Sequence, residues 1–413
     1  MSDGLASCGI HLVHDDGGAF GPLTDLRPAH DLRCGVATIA ERLALRLGGS
    51  LRHAEVRPEL RPIAALRWDS SDAGAALEQV VVHARLLSLG SLDGLALGER
   101  RLAEDGTFVA ARVAAGADAG AVRRAVDAAP SASDRRVAAE FATTPWSVAA
   151  RIGRTLEEDL ALLQRVHGLH GCVRRALRPD EGQSFGAHPI EIDPTATIGP
   201  LCVIDASKGP VVIGANATIR PLSVLVGPCV VHAGSIVAER ALLKASTVIG
   251  PSCRVGGEIG GTIFQGCSNK AHDGHLGDSF VGEWVNIGAG SDNSNLLNTY
   301  GEVIVRLEPD GGLLRTGRQF WGSVIGDHAK LAIGTRLMTG TTIGTGAMIA
   351  ASRPPASIVP RFAWVTDDAG GPKSFRIEKF LETARAMMSR RDARISPEYE
   401  TLLRDLHARA TGA

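Results

Sequence analysis

Polar groups crowd into one stretch of this chain: Asn269-Lys270-Ala271-His272-Asp273-Gly274-His275-Leu276-Gly277-Asp278, then Val285-Asn286-Ile287-Gly288-Ala289-Gly290, then Asn293-Ser294-Asn295. Two imidazoles, a lysine, carboxylates and several carboxamides gathered between 269 and 295 are the parts needed to move a proton beside an oriented nucleophile. Acyl transfer from a thioester to an amine makes three demands. A base takes the proton of the attacking nitrogen, donors hold the oxyanion of the tetrahedral intermediate, and neutral amides orient the nucleophile. A histidine followed by asparagines on successive coils supplies the first and third, and backbone N–H groups at Gly-rich turns supply the second. A histidine in a loop also serves as hydrogen-bonded scaffolding, and Asp273 either orients His272 or caps a turn. His272-Asp273-x-His275 resembles a metal-ligand spacing, but no further ligand set accompanies it, so no metal is expected here.

These groups sit within a repeat. From Glu191 to Met348 the motif apolar-Gly-x-x-x-x recurs, at Ile198-Gly199, Ile213-Gly214, Ile249-Gly250, Ile287-Gly288, Ile325-Gly326 and Ile343-Gly344. Ile213, Ile219, Leu225 and Val231 follow one another at a spacing of six, as do Ile325, Leu331, Leu337, Ile343 and Ile349. A period of six fits neither a helix nor a plain strand alternation. It fits a coil of short flat strands joined by tight turns, with three hexads to a triangular coil. No coil buries its core alone, so neighbouring coils must stack. The repeat is interrupted at Gly260–Phe280, which reads as a loop thrown out of the solenoid. It is interrupted again at Val305–Phe320, which reads as a hairpin with Asp310-Gly311-Gly312 at its tip. A rigid coil that positions such interruptions is a natural place for chemistry.

The first half reads differently. Ile10–Val13 and Val80–Ser88 are strand-like, whereas Thr38–Leu47, Ala115–Ala129 and Arg135–Phe141 read as helices. Thr144-Pro145-Trp146 starts another helix, and Ile152, Leu156, Leu160 and Leu163 continue at helical spacing. Pro179–His188 reads as a linker, and Arg376–Ala410 as an amphipathic tail broken near Pro397. The expected organisation is an α/β domain over 1–180, the β-helix over 189–352 and a helical tail over 353–413. The 413 residues include 44 Lys plus Arg against 45 Asp plus Glu, a balance with no basic excess for nucleic acid or an anionic membrane. Seven scattered cysteines without a CxxC pair suit buried free thiols. With no secretory signal and no apolar run of membrane-spanning length, a cytoplasmic protein is expected.

The spacing of the polar run resembles the acetyltransferase half of the bifunctional UDP-N-acetylglucosamine pyrophosphorylase / glucosamine-1-phosphate acetyltransferase family. There a histidine precedes L-x-Y-x-G-D, and the asparagines of NIGAG and N-Y-D-G follow it at set intervals. His272, Asn286 and Asn295 stand at those same intervals here. The tyrosine position holds His275, and N-Y-D-G is replaced by Asn295-Leu296-Leu297-Asn298. The chain is similar also to a GlmU-like branch of sugar nucleotidyltransferase-like proteins. It shares Ser268-Asn269-Lys270, His272-Asp273-Gly274, Gly282-Glu283-Trp284 and Asn286, together with Leu26-Arg27-Pro28, Leu32-Arg33-Cys34-Gly35 and Pro145-Trp146.

The resemblance implies a left-handed parallel β-helix behind a divergent nucleotidyltransferase-like α/β domain. It implies a homotrimer with acyl-CoA between neighbouring β-helices, and N-acetyl transfer from acetyl-CoA to an amino-sugar 1-phosphate. His272 would be the general base and Asn295 would help place the amine. Asn286 would contact the sugar, with Lys270, Asp273, His275 and Arg254 as further substrate contacts. Lys330 and Arg336 are candidates for coenzyme A phosphates or a solvated basic edge. Arg27 and Arg33 are candidates for a nucleotide phosphate or for structural contacts. The family's Gly-rich nucleotide loop is absent, Gly17-Gly18 being too little. UTP or another NTP, and Mg²⁺ with it, enter only if the first half is active. Two rivals stand beside this reading: a sugar-1-phosphate nucleotidyltransferase whose β-helix is purely structural or regulatory, and a non-enzymatic trimeric scaffold.

Overall fold

A computed structural model describes residues 8–14, 17–67, 78–117 and 119–412. The chain divides into two compact units. One comprises 1–18, 27–32 and 37–143, and the other 19–26, 33–36 and 144–413.

The first unit is α/β. Its sheet has the order β2-β1-β3-β5-β4-β6, with β1 Gly9–Val13, β2 Ser50–Ala54, β3 Gln79–His83, β4 Arg100–Ala103, β5 Phe108–Val113 and β6 Arg135–Val137. β1 lies parallel to both neighbours, while β5 runs antiparallel to β3 and β4. Helices α1 (Ile39–Leu47), α2 (Arg61–Arg67) and α3 (Ala119–Asp127) accompany it. α1 begins where the sequence allows a reciprocal cap, the Thr38 side chain accepting from the Glu41 N–H and Glu41 from the Thr38 N–H. Val13, Val81, Leu102, Phe108, Val122 and Val126 form one apolar cluster between sheet and α3. The helix expected at Arg135–Phe141 is instead the edge strand β6. Its backbone pairs in parallel with Arg101–Ala103, and tertiary pairing overrides a weak local helical pattern.

The second unit is a parallel β-solenoid of about ten coils followed by helices. Strands three apart in sequence join into ten-, six- and ten-stranded sheets, the three faces of the coil. On one face Ile219, Val237 and Val255 stack in successive coils, three hexads apart. Their side chains, with Ile213, Val231, Ile249, Ile325 and Ile343, run through the centre fully buried or nearly so. Coils approach closely at some corners. A Cβ on Gly250 would run into the Phe264 and Gln265 carbonyl oxygens, so only glycine fits.

Two expectations change here. Residues expected to link the domains already belong to the ladder, Gly182–Phe185 pairing with Cys202–Asp205. Gly260–Phe280 is not a loop thrown out of the coil: Ile263–Gly266, Asn269–Lys270 and His275–Gly277 each continue a face. The coil is shortened rather than broken. Val255 faces Lys270 and Asn269 faces Asn286, both closer in sequence than three full hexads. The true insertion follows, because Asn286 next meets Lys330. Within it Ile304–Val305 and Leu314–Arg315 pair antiparallel, the hairpin expected at that place.

The helical segment expected to close the first domain packs instead with the solenoid. α4 (Pro145–Ala149) and α5 (Ile152–Asp159) lie in the second unit. Asp159 accepts the Val36 N–H, and a Cβ on Gly214 would touch Leu169 at 2.6 Å. The tail is two helices, α6 (Ile377–Ser389) and α7 (Pro397–Thr411), broken at the expected proline. Phe380 of α6 and His407 of α7 pack edge-on against Phe362, and Phe380 also against Phe375.

Candidate functional site

The six-stranded face ends early, and that ending creates the site. Its last strand is His275–Gly277; beyond it the ladder resumes only as the short pair Asp292–Asn293 with Arg336–Leu337. Edge N–H groups cannot be left unpaired when buried, and side chains satisfy them here. Asp292 Oδ1 accepts from the His275 N–H at 2.5 Å and Asn293 Oδ1 from the Gly277 N–H at 2.8 Å. Asn293 also donates through Nδ2 to the Gly277 carbonyl and to Ser279 Oγ, both at 3.0 Å. The insertion closes at its base through Leu296 paired with Phe320 and the Trp321 N–H donating to the Asn295 carbonyl at 2.9 Å. This places Asn295, Arg318 and Trp321 beside the edge strand.

The result is a cleft of 520 Å³ lined by His275, Gly277, Asp278, Asn295, Lys244 and Trp321, among others. Its size suits a small organic substrate. His275 Nδ1 lies 3.4 Å from Glu258 Oε1, and the same carboxylate oxygen accepts from Lys244 Nζ at 2.9 Å. The Lys244 contact holds the Glu258 carboxyl below the usual range. A carboxylate at Nδ1 selects the tautomer that carries its proton there and leaves Nε2 as an acceptor. Nε2 and Asn295 Nδ2 converge over Gly277, where an added Cβ would lie 2.6 and 2.7 Å from them. Asn295 is held in turn, donating to Asp278 Oδ2 at 2.6 Å. Lys208 and Arg318 add positive charge to the walls, and Trp321, fully buried, packs edge-on against Trp146. The arrangement presents an acceptor imidazole, an anchored carboxamide and a cationic wall on one concave surface.

The residues singled out from sequence are dispersed by the coil. His275 and Asn295 meet in the cleft. His272 and Asp273 are exposed in the turn just before the edge strand and do not line it. Lys270 is buried under that turn, donating to the His272 and Gly256 carbonyls at 2.9 and 3.1 Å, and desolvation brings its pKa down to about 8. Asn286 and Arg254 stand on a different face, in the rung that runs Arg254, Asn269, Asn286, Lys330. Arg391, after α6, reaches this rung and donates to Asn269 Oδ1 at 2.7 Å. Lys330 donates to the Trp284 and His328 carbonyls at 2.7 and 2.9 Å, and burial pushes its pKa to about 7. Arg336 is exposed and donates to the Ser352 carbonyl. Arg33 is buried, its donors directed to the carbonyls of Gln265 and Val36 and to His232 Nε2. That is the structural alternative for this residue, since a phosphate would find those groups already engaged. Arg27 is 1% exposed in the first unit.

Lys244, Glu258 and Arg318 escaped the sequence reading, while Asp278 stood in the polar run without an assigned role. The signal for Glu258 is its place opposite His275, one shortened coil earlier on the same face. The others are brought in by turns and by the insertion, which carry no period. Among the described residues no group of three or more His, Cys, Asp or Glu stands ready to hold a metal ion. Among them, also, no helix is long and apolar enough to cross a membrane.

Residues 10–167 match the family model described as sugar nucleotidyl transferase. The bifunctional protein GlmU of Synechococcus elongatus is 28% identical over 182 residues, covering 39% of this chain and 36% of its own length. GlmU of Methanococcus aeolicus is 32% identical over 165 residues, 40% of this chain and 39% of its own. A bifunctional sugar-1-phosphate nucleotidylyltransferase/acetyltransferase of Sulfurisphaera tokodaii is 29% identical over 144 residues, 34% of this chain and 35% of its own. The chain thus spans between a third and two fifths of the length of these curated relatives.

Proposed function

We propose, from a chain that matches the sugar nucleotidyl transferase family over residues 10–167 and is similar to GlmU-named bifunctional proteins, that this protein is a transferase of sugar-nucleotide biosynthesis. Its solenoid carries acyl transfer, the amine of an amino-sugar 1-phosphate attacking the thioester of acetyl-CoA. The observation that carries this reading is the cleft at the end of the six-stranded face. Within it an imidazole and a carboxamide converge over Gly277, and Lys244, Lys208 and Arg318 bring positive charge for phosphorylated ligands. A cytoplasmic homotrimer, with acyl-CoA held between neighbouring solenoids, completes the proposal. Mixing the protein with acetyl-CoA and glucosamine-1-phosphate is expected to release free thiol in proportion to the sugar. Absence of thiol release with this and other amino-sugar phosphates overturns it.

The second reading, nucleotidyl transfer with a solenoid that only assembles or regulates, draws on the family match in the first half. It expects pyrophosphate release from UTP and a sugar 1-phosphate, with no thiol release from acetyl-CoA. Running both assays on one preparation separates the two. Mutation of the cleft then tells whether the solenoid takes part.

A further inference from the structure

Two histidines, at 272 and 275, compete for the role of base, and the spacing of the motif favours His272. The cleft favours the other. We infer that the His275 imidazole, oriented by Glu258, takes the proton from the attacking nitrogen, and that His272 is dispensable for this step; the inference rests on the acyl-transfer reading above.

Four observations carry it. His275 lines the 520 Å³ cleft, whereas His272 stands exposed in the preceding turn, with Lys270 below it bound to its carbonyl rather than to its ring. His275 Nδ1 has a carboxylate partner, Glu258 Oε1 at 3.4 Å, and that carboxylate is itself held by Lys244. The His275 backbone is anchored independently by Asp292, which holds the residue at the edge of the cleft. Finally, Nε2 shares with Asn295 Nδ2 the one point above Gly277 that lacks a side chain, an opening where a nucleophile can approach both. A base must reach the proton it abstracts before its basicity matters. By that criterion the residue that enters the cleft outranks the one that matches the motif.

The step balances within these groups. The neutral amine nitrogen of the sugar attacks the thioester carbonyl carbon, and its proton passes to His275 Nε2 as the C–N bond forms. Glu258 stabilises the resulting imidazolium through Nδ1–H. Collapse of the tetrahedral intermediate breaks the C–S bond, and the imidazolium returns the proton to the departing thiolate. The products are an amide and free thiol, with His275 regenerated. Asn295, anchored on Asp278, orients the sugar, and Glu258 is a positioning residue.

The experiment compares wild type with His275→Asn, His272→Asn and Glu258→Gln, reading thiol release from acetyl-CoA with glucosamine-1-phosphate, each variant first checked for native circular dichroism and thermal midpoint. His275→Asn is expected to lower kcat by about 100-fold or more, as loss of a general base does. His272→Asn is expected to stay within about threefold, too little for loss of a base. Glu258→Gln is expected to lower kcat with little change in KM. Turnover of His275→Asn within about threefold of wild type, or a loss in His272→Asn as large as in His275→Asn, overturns the assignment while leaving acyl transfer standing. An unchanged kcat in Glu258→Gln, or a loss that falls on KM instead, overturns its positioning role. No thiol release from wild type removes the acyl-transfer reading and this base with it.

Discussion

Gly277 is the residue on which the site turns. Its backbone is in a region open to any residue, but a Cβ there would occupy the space between His275 Nε2 and Asn295 Nδ2. Both neighbours are ends of movable side chains, so Gly277→Ala is expected to lower stability by only about 1 kcal/mol. Thiol release should fall by about 100-fold, because the two groups can no longer meet over one point. Chemical denaturation and the thiol assay on one sample check this, and equal activity of variant and wild type would refute it. Lys330 gives a second test at this scale. Its pKa is lowered from 10.5 to about 7 by burial. Between those values the unfolded chain binds more protons than the folded one, so stability rises with pH across the window, being lowest on its acidic side. In Lys330→Met that contribution disappears. Guanidinium midpoints measured near the two ends of the window should differ more in wild type than in the variant.

The elements of the second unit are tied by contacts far apart in sequence. Arg361, at the last coil, donates to both carboxylate oxygens of Asp25 at 2.9 and 2.8 Å and to Glu308 in the hairpin insertion at 2.5 and 2.8 Å. Thr345 Oγ1 completes the set on Asp25 at 2.6 Å. Three segments therefore share one guanidinium, and Asp25 is only 7% exposed. Burial alone pushes the Asp25 carboxyl up, with Arg361 opposing it. Arg361→Met leaves that carboxyl buried without its partner and is expected to cost about 3–5 kcal/mol. Adding Asp25→Asn removes the stranded charge and should recover part of the loss. Equilibrium unfolding of the two variants checks both statements, and additive losses would contradict the coupling.

For the whole molecule the question is whether the two halves act separately. The cleft lies wholly within the second unit, and the family match covers residues 10–167. If the first half transfers nucleotide, His275→Asn should leave pyrophosphate release from UTP unchanged while thiol release is lost. A parallel loss of both activities would show that the solenoid supports the other reaction as well. The absent Gly-rich loop bears on this assay, since phosphates would have to be held by other groups.

The solenoid was legible in the chain because a period of six repeats one packing decision many times, and Ile213 to Val231 or Ile325 to Ile349 can be read without knowing their partners. The same holds for α1, where Thr38 and Glu41 carry both halves of a cap, and for the hairpin whose tip is Asp310-Gly311-Gly312. The helix read at Arg135–Phe141 failed because a short edge strand owes its form to Arg101–Ala103 across the sheet, a partner no local pattern names. The site was legible as a neighbourhood but not as an arrangement. Motif spacing ran along the chain through His272, Asn286 and Asn295, whereas the coil sorts residues by face. Coils shortened from the regular three hexads set Glu258 opposite His275 beside Asn295, and put Asn286 opposite Asn269 on another face. Register of that kind is set by which backbone groups find partners in the neighbouring coil, and only the folded stack supplies those partners.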